Sequence, residues 1–253
     1  MHEFEGKVVF VTGATSGIGE EIATQFAKHG AKVAFTGRRA EEGDRVAKKI
    51  QGLGGNAIFI KSDVQKGGDV EKAIATVVEK FGCIDIAVNN AGVEEAMVSF
   101  LEQKVEKFDE IFGINVRGMW LCLQAEIRQM LKQNSDCAII NMSSVAGQLG
   151  FPQCSSYIGS KHAVNGLTKS LASEFAGKKI RINAVAPGPI LTEMWSRYAD
   201  SHPGTEEMVL NMVPTGRVGT CAEVASCVLW LASPTATYVT GQIVAVDGGM
   251  VNV

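Results

Sequence analysis

The chain has 253 residues, 46% of them apolar and 20% charged, and a net charge of −3. This is ordinary globular composition, with enough length to bury a core without disulfides or metals. The charge gives no pull toward nucleic acid or an anionic membrane, no run approaches the roughly 18 apolar residues of a span, and no basic-then-apolar leader opens the chain, so neither nucleic acid nor membrane is expected as a partner.

In chain order, KVVFVT (7–12) reads as a first strand and runs into TGATSGIG (12–19), which opens a helix over 17–29. Gly13, Gly17 and Gly19 are spaced G-x-x-x-G-x-G, not G-x-G-x-x-G, but the physics is shared. Glycines permit a tight turn and bring backbone N–H groups close to a pyrophosphate, and the helix N-terminus adds partial positive charge. KVAFTG (32–37) is the second strand; Arg38 and Arg39 lead into a helix over 40–52. NAIFIK (56–61) is the third, followed by Asp63-Val64 and a helix over 67–81. CIDIAVN (83–89) is the fourth and closes on NNAG (89–92). A long helical pattern over 103–133 carries Asn115. CAIINMS (137–143) is the fifth strand, and the helix over 155–176 that follows contains YIGSK (157–161). IRINAVA (180–186) ends at Pro187-Gly188. An excursion over 188–215, a helix over 220–232 and a last strand QIVAVDG (242–248) complete the pattern.

The strands are β-branched and nearly continuously apolar, as strands covered on both faces are. Their alternation with helices predicts an α/β fold, a Rossmann-like three-layer α/β/α sandwich with a doubly wound parallel sheet of about seven strands. No linker or repeat interrupts the pattern, so 1–253 is expected to be one domain, with 188–215 as a substrate lid. The six cysteines, at 83, 122, 137, 154, 221 and 227, include no C-x-x-C pair and are expected to be buried free thiols of a reducing cytosol. The histidines form no H-x-x-x-H pair, so no metal site is expected.

TGATSGIG, NNAG, NMSSVAG (141–147), YIGSK, NAVAPGPILTEM (183–194) and VTGQIVAVDGG (239–249) occur in this order. From about residue 6 to 250 the chain resembles the short-chain dehydrogenase/reductase family, in its single-domain branch. The resemblance implies an NAD(P)(H)-dependent oxidoreductase that interconverts a secondary alcohol and a ketone, with a tetrad of Asn115, Ser144, Tyr157 and Lys161. Ser144, not Ser143, is the match, because it directly precedes VAG. The resemblance also implies a cofactor site. Gly13, Thr15, Ser16, Gly17, Ile18 and Gly19 would surround the pyrophosphate; Asn90, Ala91 and Gly92 would pass the ribose. Asp63 and Val64 would face the adenine; Pro187, Gly188, Ile190 and Thr192 would lie toward the carboxamide and phosphates. Lys161 would grip the nicotinamide ribose beside Tyr157, and Asn115 would hold a relay water.

Hydride transfer to a ketone leaves an alkoxide that must be protonated, and the reverse reaction needs a base. A phenol titrates near pH 10. Tyr157 and Lys161 are four residues apart, on one helix face. A cation one turn away is expected to lower the phenol pKa, making Tyr157 the acid/base and Lys161 its tuner. Ser144 would orient the substrate oxygen.

Gly37 stands where an NAD-specific site carries an acid, which leaves room for a 2′-phosphate. Arg38 and Arg39, cations near a helix N-terminus, ask for an anionic partner. NADP is therefore favoured over NAD, with Arg38 the stronger candidate, although Ser16 is not the basic residue that many NADP users carry. QNSDC (133–137) offers no cation to an acidic carrier protein. A small ketone or secondary alcohol is thus favoured over the alternative, a 3-oxoacyl-[acyl-carrier-protein] reductase. The short gap between Tyr157 and Lys161 argues against an enoyl-thioester reductase. A non-catalytic dinucleotide-binding regulator is the alternative of another class. Leu191, Met194, Trp195 and Tyr198 would share one helix face over the substrate; Glu94 and Glu95 are a solvated pair or reach the substrate mouth. The apolar surplus of the helices over 103–133 and 155–176 predicts a homotetramer, and the whole protein is expected in the cytoplasm.

Overall fold

Each of the seven apolar runs forms a parallel strand in the structure, a computed structural model that describes residues 3–193, 195–196 and 204–252. These are β1 (Val8–Thr12), β2 (Lys32–Gly37), β3 (Asn56–Lys61), β4 (Ile86–Asn89), β5 (Cys137–Met142), β6 (Ile180–Pro187) and β7 (Ile243–Val246). They pair in the order β3-β2-β1-β4-β5-β6-β7. Every residue of β1, β4 and β5 is buried, which is why these strands are apolar at consecutive positions rather than alternate ones.

The helices are α1 (Gly17–Lys28), α2 (Ala40–Gly52), α3 (Gly67–Phe81), α4 (Val105–Phe112), α5 (Met119–Gln133), α6 (Ser155–Phe175), α7 (Thr205–Asn211) and α8 (Cys221–Ala232). Successive strand residues point to opposite faces, and each face has its own core. Val9 and Val11 of β1 pack with Ile22 and Phe26 of α1, Val46 and Ile50 of α2 and Val228 of α8. Val8 and Phe10 pack with Val77 of α3, Leu123 and Ile127 of α5 and Val164 of α6. Each such side chain contributes about 1.5–3 kcal/mol by leaving water. The result is the three-layer sandwich. Strand order reverses between β1 and β4, so a crevice opens at their carboxyl ends.

Two expectations need correction. The pattern over 103–133 is not one helix: α4 and α5 are separated by a π-helical segment, Gly113–Gly118. Glycine closes it, since a Cβ on Gly118 would lie 2.8 Å from a methyl of Val64. The six cysteines are free, but only Cys122 and Cys137 are buried; the other four are half-exposed, Cys83, Cys154 and Cys221 at element ends and Cys227 within α8, packed against the edge of the core. Of the proposed apolar lid face, Leu191 is exposed and Trp195 half-buried, while Met194 and Tyr198 lie outside the described residues. No helix among the described residues is long and apolar enough to cross a membrane.

Candidate active site

The crevice is built by two turns pressed together. Gly13 has φ +67°, and a Cβ there would lie 2.6 Å from Ala91 Cα. A Cβ on Gly19 would lie 2.5 Å from the Gly13 carbonyl oxygen. Thr12, the last residue of β1, joins the turns: its buried hydroxyl oxygen accepts from Asn90 N at 3.1 Å and Ala91 N at 3.2 Å. Asn90 Nδ2 returns a bond to Gly13 O at 2.9 Å. Thr12 was not singled out as a site residue; its signal was a hydroxyl at the carboxyl end of an otherwise apolar strand.

A cavity of about 710 Å³ follows from these turns. Gly13, Thr15, Ser16, Gly17, Ile18 and Gly19 line it on one side, and Asn90, Ala91 and Gly92 on another, with Arg38, Arg39, Asp63, Val64 and Thr192 completing it. Ser16, the N-cap of α1, makes no side-chain cap, so the first-turn N–H groups of Gly17, Ile18 and Gly19, which line the cavity, lack a side-chain acceptor there. The glycine cradle, the uncapped helix end and the volume fit a dinucleotide. Pro187, Gly188 and Ile190 lie outside the lining. Gly188 N donates to Val246 O at 3.0 Å, and Ile190 is buried, its carbonyl accepting from Thr192 Oγ1 at 3.2 Å. They position Thr192 rather than face the cavity.

At the far end Gly37 has a second reason to be glycine, because a Cβ there would collide with the Thr15 methyl. Arg39, not Arg38, is tied to the glycine-rich turn: its Nη2 donates to Ser16 Oγ at 2.6 Å and Thr15 Oγ1 at 3.1 Å. Its Nη1 also lies 4.0 Å from Glu193. Arg38 borders the cavity without a hydrogen bond or ion pair among the described residues, and Glu42 is taken by Arg45 at 2.8 Å. Asp63 borders the cavity while its Oδ1 accepts from Gln65 N at 3.1 Å, so it also makes the turn into α3.

Two residues of the expected tetrad, Asn115 and Lys161, meet behind Gly92. A Cβ on Gly92 would lie 3.3 Å from Asn115 Oδ1 and 3.7 Å from Lys161 Nζ. Asn115 occupies the π-helical segment, fully buried, and its amide pairs with Val93: Oδ1 accepts from Val93 N at 2.8 Å and Nδ2 donates to Val93 O at 3.0 Å. The extra residue of the π turn and this side chain together tie α4–α5 to the cofactor wall. Ser144 caps a short 3-10 turn, its Oγ accepting from Ala146 N at 3.2 Å. It is half-exposed, whereas Ser143 is buried.

Tyr157 and Lys161 do share a face of α6, with Nζ 5.6 Å from the phenol ring centroid. The expected direction of tuning is overturned. Burial pushes the Tyr157 phenol up to about 12; the Ser144 hydroxyl beside it pulls down, and the Glu94 carboxylate adds to the rise. Lys161 does not counter this because its ammonium is turned onto the Met142 carbonyl at 3.0 Å, and burial holds its own pKa down at about 8. At neutral pH the phenol is therefore a proton donor. Glu95 is also corrected: it is buried, not solvated, and its Oε2 accepts from Tyr157 N at 2.9 Å.

A family described as "Enoyl-(Acyl carrier protein) reductase" matches residues 13–251. A 2,5-dichloro-2,5-cyclohexadiene-1,4-diol dehydrogenase of Sphingobium indicum is 36% identical over 249 residues, 98% of each chain. A 3-ketoacyl-(acyl-carrier-protein) reductase of Brucella melitensis, solved with NADH, superposes with a TM-score of 0.91 at 34% identity, over 98% of this chain and 99% of that one. ElxO, solved with NADP, superposes with a TM-score of 0.91 at 36% identity, over 98% and 99%. This chain belongs to the short-chain dehydrogenase/reductase family. As a short-chain dehydrogenase/reductase it is an NAD(P)-dependent oxidoreductase acting on the CH–OH group of a small molecule or on the matching carbonyl. No group of metal-ligating side chains occurs among the described residues.

Proposed function

We propose that the protein is a reductase of a small ketone, or the reverse dehydrogenase, in which Tyr157 is the acid/base. The observation that carries this is geometric: Tyr157 and Lys161 share one face of α6, Nζ 5.6 Å from the phenol ring centroid, with Ser144 beside the phenol and Lys161 Nζ reaching the wall at Gly92. A nicotinamide dinucleotide held by the cavity residues Gly13, Gly17, Gly19 and Asn90 would supply or take the hydride. Ser144 holds the substrate oxygen by hydrogen bond, and the Tyr157 hydroxyl gives its proton to that oxygen as charge develops there. In the oxidative direction the base would be the Tyr157 phenolate, which a phenol at about 12 forms only at alkaline pH, so the reduction is the direction favoured at neutral pH. Lys161, its ammonium on the Met142 carbonyl and next to Gly92, would hold the ribose end of the dinucleotide, and Asn115 keeps the wall at Val93 in place.

Arg38 favours NADP over NAD, since its guanidinium borders the cavity and is not engaged by any described carboxylate. A free ketone or alcohol is favoured over a carrier-bound thioester, because residues 133–137 carry no cation. The three residues between Tyr157 and Lys161 keep the ketone reading ahead of an enoyl one. The chain is proposed to act as one domain in the cytoplasm, with 188–215 covering the substrate, and as a homotetramer. Val105, Phe108, Trp120 and Leu131 stay exposed on α4 and α5, a surplus that a partner copy would cover. Light scattering at micromolar concentration should give the mass of four chains; a monomer refutes the assembly. A panel of alcohols and ketones, followed by the absorbance of the reduced dinucleotide, tests the activity. Turnover of small ketones is expected, and tight dinucleotide binding with no turnover would favour the regulator instead.

A further inference from the structure

Helix α6 begins without a cap of its own. Its N-cap residue, Cys154, makes no side-chain hydrogen bond to the helix, although first-turn N–H groups lack an intrahelical acceptor. The acceptor comes from far away in sequence: Glu95 Oε2, 2.9 Å from Tyr157 N. Glu95 is only 6% exposed, and a carboxylate that buried needs a partner. Here the partners are the amide and the partial positive charge of the helix end. Neighbouring contacts repeat the link. Gln103 Oε1 accepts from Ser155 Oγ at 2.7 Å and from Ser156 Oγ at 3.4 Å. Gln103 Nε2 donates to Val98 O at 3.1 Å, and Val98 N donates to Gln153 O at 2.9 Å. The segment that continues from NNAG is thus stapled to the first turn of α6.

We propose that Glu95 is a positioning residue, whose buried carboxylate fixes the backbone of Tyr157, and so its phenol, against the cofactor wall that ends at Gly92. The proposal rests on the reading of Tyr157 as the acid/base. Glu95 holds the amide of that residue, not its hydroxyl. Burial raises the phenol, and of the two adjacent carboxylates it is Glu94, the preceding residue, that adds to the rise. Removing Glu95 therefore misplaces the phenol without removing a charge that acts on it directly. Glu95 also borders the cavity, so direct contact with substrate is the competing role.

The full-length enzyme carrying Glu95→Ala, Glu95→Gln or Tyr157→Phe separates these roles. Steady-state kcat and KM are measured for a ketone across pH, with dinucleotide Kd by titration. Glu95→Ala should lower kcat by about 10- to 100-fold, the cost of a misplacement near 1 Å. Its dinucleotide Kd and the limbs of its pH profile should stay as in wild type. Glu95→Gln, whose amide oxygen still accepts from Tyr157 N, should recover to within about threefold of wild type. Wild-type kcat in Glu95→Ala overturns the proposal. So does a loss in both variants that sits in the ketone KM, or a shifted pH limb. If Glu95→Ala binds no dinucleotide, Glu95→Gln decides: wild-type kcat and profile uphold the positioning role, and a loss as deep as that of Tyr157→Phe refutes it. Undiminished turnover in Tyr157→Phe would instead refute the acid/base assignment itself.

Discussion

Glu126 is fully buried on the sheet-facing side of α5 and, among the described residues, has no cation beside it. Its Oε2 accepts from Asn89 Nδ2 at 2.9 Å, and its Oε1 has no partner among the described residues. Asn89 Nδ2 also reaches Asn141 Oδ1 at 3.1 Å, and Asn141 Nδ2 reaches Thr168 Oγ1 at 3.0 Å. Burial pushes the Glu126 carboxyl up from the ordinary 4.5 to about 7, and the Asn89 bond recovers only part. The folded state then holds this proton more tightly than the unfolded chain. The stabilisation is full below pH 4.5 and is lost as pH rises to about 7. At about 1.4 kcal/mol per pH unit, that gap costs on the order of 3 kcal/mol above pH 7. Glu126→Gln keeps the shape and the acceptor for Asn89 and removes the ionisation. Urea unfolding should find the variant more stable than wild type by about 2–3 kcal/mol at pH 8, with the difference shrinking toward zero at pH 5. Lys161, whose window lies between its ordinary value and about 8, and Glu223, whose window lies below 4.5, cancel between the two proteins. An equal difference at both pH values would refute a buried, titrating Glu126.

Arg38→Ala should weaken NADPH binding by about 1–3 kcal/mol, the worth of a charged hydrogen bond, and leave NADH nearly unchanged; kcat/KM for both cofactors checks this, and a wild-type preference for NADH refutes it. Gly13→Ala should abolish dinucleotide binding in calorimetric titration, because the new Cβ would lie 2.6 Å from Ala91 Cα at a φ of +67°. Lys161, at about 8, is neutral above that pH, so kcat/KM for the dinucleotide should fall on the alkaline side of about 8. Lys161→Arg, always charged, should lose that limb.

Seven strands and the reversal at β1/β4 were legible because buried parallel strands are written as short apolar runs between glycine turns. The cofactor turns were legible for the same reason: Gly13 and Gly19 are glycine because backbone fills the space a Cβ needs. The π turn at Asn115 was not, since one extra residue hardly disturbs an apolar periodicity running from 105 to 133. Glu95 and Glu126 were hidden because burial of a carboxylate depends on partners from other elements: a backbone amide of α6 for one, Asn89 of β4 for the other. The direction of the Tyr157 shift was missed for a related reason. Four-residue spacing brings Lys161 to the same face, but it cannot show that the ammonium turns to Met142 O or that desolvation dominates.

The central claim is that the Tyr157 hydroxyl exchanges the proton with the substrate oxygen. Tyr157→Phe keeps the ring and its packing and removes only that hydroxyl, so turnover of the best ketone and dinucleotide Kd, measured on the same preparation, test it most directly. The account predicts a fall in kcat of about 10²–10⁴-fold, the range for a positioned acid/base, with Kd within about twofold of wild type. A variant that turns over within a few-fold of wild type would contradict it.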